Sequence, residues 1–119
     1  MYKVVFSPEF TEWFESLEID EQDTVSVHIR TLQQYGHQLG RPYADTLKNS
    51  KIPNLKELRV QHAGKPYRAL YVFDPLRKAV MLCGGDKTGN KRFYKDIIPI
   101  AEEIYKRHLK ELDAKDNNP

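Results

Sequence analysis

Leu55-Lys56-Glu57-Leu58-Arg59-Val60-Gln61-His62, Ala63-Gly64-Lys65-Pro66 and Tyr67-Arg68-Ala69-Leu70-Tyr71-Val72-Phe73-Asp74 follow one another in the middle of the chain. The outer two pieces mix apolar and polar side chains with a period near two, and the four residues between them carry turn chemistry. Together they predict an antiparallel hairpin. Downstream, Asp74-Pro75-Leu76-Arg77-Lys78 makes the next turn and Ala79-Val80-Met81-Leu82-Cys83 a third, almost wholly apolar strand, as suits the covered centre of a sheet. Gly84 to Lys91 reads as a Gly-rich basic loop. Beyond it Ile97, Ile100, Ala101, Ile104, His108 and Leu112 trace one face of a last helix, with Pro99 expected in its first turn.

Upstream, Arg41 to Asn54 holds two prolines and the isolated apolar anchors Tyr43, Leu47 and Ile52, which predicts a long ordered loop. Asp20 and Asp23 open a helix whose buried face is Val25, Ile29 and Leu32, and Gly36 is placed to stop it. A preceding helix starts at Ser7-Pro8-Glu9, with a hydroxyl for the N-cap and proline at the first helical position, and carries Phe10, Trp13, Phe14 and Leu17 as a core stripe. Tyr2 to Phe6 is a short strand. The expected fold class is α+β: a small twisted antiparallel sheet with an N-terminal helical hairpin on one face and a C-terminal helix, the second face only partly covered. Residues 1–112 form one domain and residues 113–119 a disordered tail.

The chain has 119 residues, enough for one core without a metal or disulfide to staple it. Its N-terminus turns polar at Ser7-Pro8, too early for a signal segment, and no apolar run reaches membrane length, so a cytoplasmic protein without membrane contact is expected. The single cysteine, Cys83, lies in an apolar run and reads as a structural thiol. No metal or cofactor is expected, since His28 and His37 have no Cys or carboxylate at ligand spacing. Charge is unevenly spread. Residues 48–95 hold twelve Lys/Arg against three Asp/Glu, a net of +9 within a total of +2, while residues 1–47 carry −5 and residues 96–119 carry −2. A one-sided field of this kind attracts polyanions.

Within that basic window, alternation along Tyr67 to Phe73 puts Arg68 beside Leu70 and Val72, half-exposed on an apolar face where a guanidinium needs an anion or a carboxylate, with Glu57 or Asp74 as structural partners. The Gly84 to Lys91 loop is not a Walker A sequence, because Lys87-Thr88 precedes Gly89 and no glycine lies five residues before Lys87. Its backbone donors and the ammonium groups of Lys87 and Lys91 suit a phosphodiester instead. RNA is cleaved without metal when its 2′-OH attacks the neighbouring phosphorus. Arginine suits the growing charge, a lysine crowded by cations suits proton transfer, and Tyr94 suits base stacking or proton shuttling. His62 is the conventional acid/base candidate, against a solvated strand-end histidine.

Pro53-Asn54-Leu55-Lys56-Glu57-Leu58-Arg59, Tyr67-Arg68-Ala69-Leu70-Tyr71, Gly85-Asp86-Lys87-Thr88-Gly89-Asn90-Lys91-Arg92-Phe93-Tyr94 and Ile98-Pro99-Ile100-Ala101 resemble the phage-derived, HigB-like branch of the RelE/ParE toxin superfamily, most specifically over residues 53 to 109. The resemblance implies a RelE-like fold and a type II toxin that enters the ribosomal A site and cleaves mRNA. It also implies a cognate antitoxin, usually with a helix-turn-helix DNA-binding domain. By it Arg68, Arg59, Lys87 and Lys91 become catalytic candidates, while Lys56, Arg92, Tyr94, Lys95 and His62 of the basic window are the expected RNA contacts. Lys95 follows Tyr94 where some ribonuclease members have histidine, so the acid/base pair is not given. A ParE-like toxin acting on DNA gyrase and an inactive, binding-only relative are the alternatives.

Overall fold

The computed structural model describes residues 1–116. Along the chain they form β1 (Val4–Phe6), α1 (Pro8–Glu15), α2 (Ile19–Tyr35), a 3-10 turn (Gly36–Gln38), β2 (Ala44–Thr46), β3 (Lys56–His62), β4 (Lys65–Phe73), β5 (Ala79–Asp86) and α3 (Phe93–Asp116). The five strands lie in the order β1-β5-β4-β3-β2. The hairpin read from the sequence is present as β3 and β4, but its turn is tighter than expected. Ala63 (φ 49°) and Gly64 (φ 79°) are both left-handed, the geometry of a two-residue type I′ turn, so Lys65 and Pro66 join β4 and His62 faces Lys65.

Two strand assignments differ from expectation. β1 runs parallel to β5 (Val4 opposite Ala79), so the sheet is mixed, with its other pairs antiparallel. β2 lies inside the segment read as a loop, pairing Ala44 with Leu58. Three residues are too few to show a period of two.

α1 starts where the sequence places it: Ser7 Oγ accepts from Phe10 N (2.9 Å) and donates to Leu82 O (2.6 Å), capping the helix and tying it to β5. α2 is capped at Glu18, two residues before Asp20, through a reciprocal box in which Glu18 N donates to Glu21 Oε1 (2.8 Å). Gly36 ends it as expected, and the Tyr2 ring packs where a Gly36 side chain would lie.

The helical hairpin covers one face of the sheet, burying Phe10, Val25, Ile29 and Leu32 against Leu58, Val60, Tyr67, Ala69 and Tyr71. α3 covers the β4–β5 part of the other, with Ile97, Ile98, Ala101 and Ile104 against Leu70, Val72, Val80 and Leu82. It begins at Phe93, four residues before the first expected contact. Pro99 therefore falls in the second turn, and Ile98 takes the inward place assigned to Ile100, which is 51% exposed. The helix continues through 113–116, where the sequence predicts a tail, since nothing in Asp113-Ala114-Lys115 breaks it and Lys115 complements the dipole of its last turn. The remainder of that expected tail, 117–119, lies outside the described residues. No described helix is long and apolar enough to cross a membrane.

Gly84 and Gly85 belong to β5 rather than to the basic loop, which begins at Lys87. They serve close approach. A Cβ on Gly84 would lie 2.4 Å from the Trp13 ring, itself packed against Phe10 and Tyr67. Gly84→Ala is expected to force that ring aside and to cost roughly 1–3 kcal/mol, read as a lowered denaturant midpoint with unchanged slope.

Candidate functional site

β3 carries Lys56, Leu58, Val60 and His62 on its helical-hairpin face and Glu57 and Arg59 on the α3 face. In register, Arg59 stands opposite Arg68. Two guanidinium groups on neighbouring strands repel unless an anion lies between them, and the Glu57 carboxylate supplies it. Arg59 Nε donates to Glu57 Oε2 (3.2 Å), Arg68 Nε stands 3.5 Å from Glu57 Oε1, and the Tyr94 hydroxyl, projecting from the start of α3, donates to the same oxygen at 2.6 Å. Glu57 is 1% exposed. Arg59 also reaches Asp45 Oδ2 (3.3 Å), which Arg41 holds from outside (2.9 Å). Lys87 Nζ lies 5.4 Å from the centre of the Tyr94 ring, within cation–π range.

Arg68 is 8% exposed, not half-exposed as strand alternation alone suggests. Its Nη1 donates to Tyr67 O (3.0 Å), while Nε is buried without an acceptor, because at 3.5 Å the contact with Glu57 is an electrostatic pairing and not a hydrogen bond. Arg59 is the more open cation, its side chain 33% exposed. Burial raises the Tyr94 hydroxyl above the ordinary phenol range and the bond to Glu57 adds to this, with the Arg68 guanidinium partly offsetting both. Tyr94 is thus a protonated donor at neutral pH. Arg41 holds the Asp45 carboxyl below its usual range.

The structure brings four of the sequence candidates together: Arg59, Arg68, Lys87 and Tyr94. Lys95 is exposed on the rim beyond Tyr94. Lys91 and Arg92 are exposed in the loop before α3, Arg92 pairing with Asp96 at 3.8 Å. Lys56 and His62 lie on the opposite face of β3, because their even positions alternate away from Glu57 and Arg59. Lys56 Nζ donates to Thr46 Oγ1 (2.8 Å), and His62 bridges to α2 through Thr24 Oγ1 (2.8 Å) and Asp20 Oδ2 (3.1 Å). Asp74 is no partner of Arg68 either, since it accepts from Leu76 N and Lys78 N and pairs with His108. Glu57 is the partner of Arg68 that the sequence offered beside Asp74, but its bonds to Arg59 and Tyr94, which make it the centre of the cluster, were not read from the sequence. Among the described residues no group of three His, Cys, Asp or Glu side chains is placed to hold a metal ion.

Residues 12–106 match the family described as phage derived protein Gp49-like (DUF891). A Mycobacterium tuberculosis H37Rv protein named "Putative toxin HigB3" is 44% identical over 101 residues, covering 84% of this chain and 87% of that one. A second from the same organism, "Putative toxin HigB2", is 35% identical over 103 residues, covering 85% of this chain but 51% of its own length. The chain spans about half of that second relative. Among solved structures, a double arginine-to-alanine mutant of the E. coli toxin RelE in the free state superposes with a TM-score of 0.56 over 81% of this chain and 94% of that one, at 8% identity, a likeness of fold. The family match over residues 12–106 and the 44% identity across most of two chains place this protein in the phage-derived Gp49-like family.

Proposed function

We propose that this chain is the toxin of a type II toxin–antitoxin system, an endoribonuclease that cuts mRNA on the translating ribosome without a metal. The observation that carries this reading is the convergence of Arg59, Arg68 and the Tyr94 hydroxyl on one buried carboxylate on the α3 side of β3 and β4, with Lys87 alongside. The relatives named as toxins support it. Arg59, the more exposed guanidinium, and Arg68 take the non-bridging oxygens of the scissile phosphate. As the 2′-oxygen attacks phosphorus, Tyr94 accepts its proton while passing its own to Glu57. The raised phenol makes this a concerted relay rather than the work of a standing phenolate. Lys87 protonates the departing 5′-oxygen. The products are a 2′,3′-cyclic phosphate and a 5′-hydroxyl.

Mapping mRNA 5′ ends after expression of the chain tests this: cuts within translated frames support it, and intact message in growth-arrested cells sinks it. Affinity for ribosomes or RNA should also fall steeply with salt, with a log–log slope of roughly 0.7 per neutralised single-strand phosphate. A flat response between low and physiological salt counts against phosphate steering.

One feature favours a protein partner in addition. Phe6, half-exposed, opens with Phe10, Phe14 and Ile29 into a groove of about 360 Å³ on the helical hairpin, whose lining includes Arg30 but neither Arg59 nor Arg68. A cognate antitoxin, with a helix-turn-helix domain in this reading, is the partner that such a toxin requires. A gyrase-directed toxin would use the same surface and leave mRNA uncut.

A further inference from the structure

Between the 47–51 segment and the first turns of α3 runs a groove of about 590 Å³, bordered on one side by the Tyr94 ring. That volume lies within the roughly 300–1,000 Å³ of small-molecule sites. Leu47 and Ile98 give it an apolar floor, while Lys48, Lys51 and Lys95 stand exposed around it. Glu102 also lines it, but its Oε2 is engaged by the loop, accepting from Ser50 Oγ (3.0 Å) and Lys51 N (2.6 Å), and the three lysines outweigh its charge.

The groove is preformed. Leu47 N donates to Leu55 O (2.8 Å) across the base of the segment, Ile52 N donates to Ser50 Oγ (3.0 Å), and Glu102 fastens the middle to α3. Within this fixed loop Asn49 adopts φ 66°, a left-handed conformation that asparagine tolerates better than most residues. Its side chain is exposed and makes no hydrogen bond among the described residues. A carboxamide offers a donor and an acceptor together, the pairing that reads a base edge.

We propose that this groove is a nucleotide subsite for single-stranded RNA: it takes the nucleotide adjoining the scissile phosphate, Asn49 reads the base edge, and Lys51 and Lys95 hold the next phosphate. This rests on the RNA-cleavage reading for its substrate. Its geometry is continuous with that site because Tyr94 both contacts Glu57 and walls the groove. The cations match a polyanion, the apolar floor matches a base, and a single-stranded RNA is the occupant that combines them.

Three measurements test it. In cut-site mapping, Asn49→Gly, which keeps the left-handed backbone accessible, should flatten the base preference at one position beside the cut. Lys51→Gln with Lys95→Gln should raise KM about tenfold with kcat little changed, the signature of lost ground-state binding. Identical base preferences in Asn49→Gly and parent overturn the assignment. Independently, titrating the full-length chain with the four nucleoside 5′-monophosphates should shift amide resonances of residues 47–51 and 94–98. Shifts confined to other residues, or none at millimolar ligand, overturn it as well. Should the parent chain cut no mRNA yet show these groove shifts, the cleavage reading fails and the subsite stands.

Discussion

Arg68→Lys is expected to slow RNA cleavage roughly a hundred- to thousandfold, ~3–4 kcal/mol of barrier, while the chain remains folded. Lysine preserves one positive charge beside Glu57 and so keeps the buried carboxylate paired, but it has no planar fork with which to hold two phosphate oxygens at once. The position magnifies the loss. Arg68 sits mid-strand on β4, shielded from water, where a charge acts on the phosphate through a low effective dielectric. Arg68→Ala is the less informative variant. At 8% exposure the arginine is part of the packing, and removing it strips Glu57 of a partner, so a loss of stability accompanies any loss of activity. The decisive comparison is the cleavage rate of Arg68→Lys in a translating extract, with circular dichroism to establish the fold. If this variant cuts within about threefold of the parent, the bidentate contact is not made, and Arg59, the more exposed guanidinium, carries the phosphate.

What the sequence made legible follows from where local chemistry dominated. The β3–β4 hairpin, the Ser7 cap, the Gly36 stop and the core stripe of α1 each rest on contacts within a few residues of chain, and each is found. The elements that escaped are held by distant partners. β2 is a strand because Ala44 meets Leu58, and β1 lies parallel because it pairs with Ala79, more than seventy residues away. Gly84 and Gly85 looked like a loop because glycine permits turns. Their role is to admit the Trp13 and Phe93 rings, which no local pattern announces. The candidate site divides in the same way. Strand alternation is local, so Arg68 is readable beside Leu70 and Val72 on its own strand, while its place opposite Arg59 is set by the β3–β4 register. That Lys56 and His62 turn away from Glu57 follows from the same alternation, whereas the reach of Tyr94 from another element onto Glu57 depends on how α3 crosses the sheet.

Glu57→Gln should cost about 3 kcal/mol of stability and also suppress cleavage. That is the low end of the roughly 3–5 kcal/mol lost when a buried ion pair loses one partner, because Arg59 retains Asp45 and is a third exposed to water. Arg68 bears most of the loss, left in the shielded interior with Tyr67 O as its hydrogen-bonded acceptor. A denaturant titration reads the first effect. The second has two explanations, since Glu57 both holds the arginines in place and receives the Tyr94 proton. Tyr94→Phe separates them. It leaves the carboxylate and both guanidinium groups where they are, removes one hydrogen bond worth about 1 kcal/mol, and deletes the relay atom. With a relay, Tyr94→Phe should lower kcat about a hundredfold, within the range for a lost general base, and do so across neutral pH, because the raised phenol remains protonated there and contributes no titration of its own. If Tyr94→Phe instead cleaves like the parent while Glu57→Gln does not, the carboxylate acts only as an anchor for Arg59 and Arg68, and the base that takes the 2′ proton must come from elsewhere in the cleft or from the ribosome.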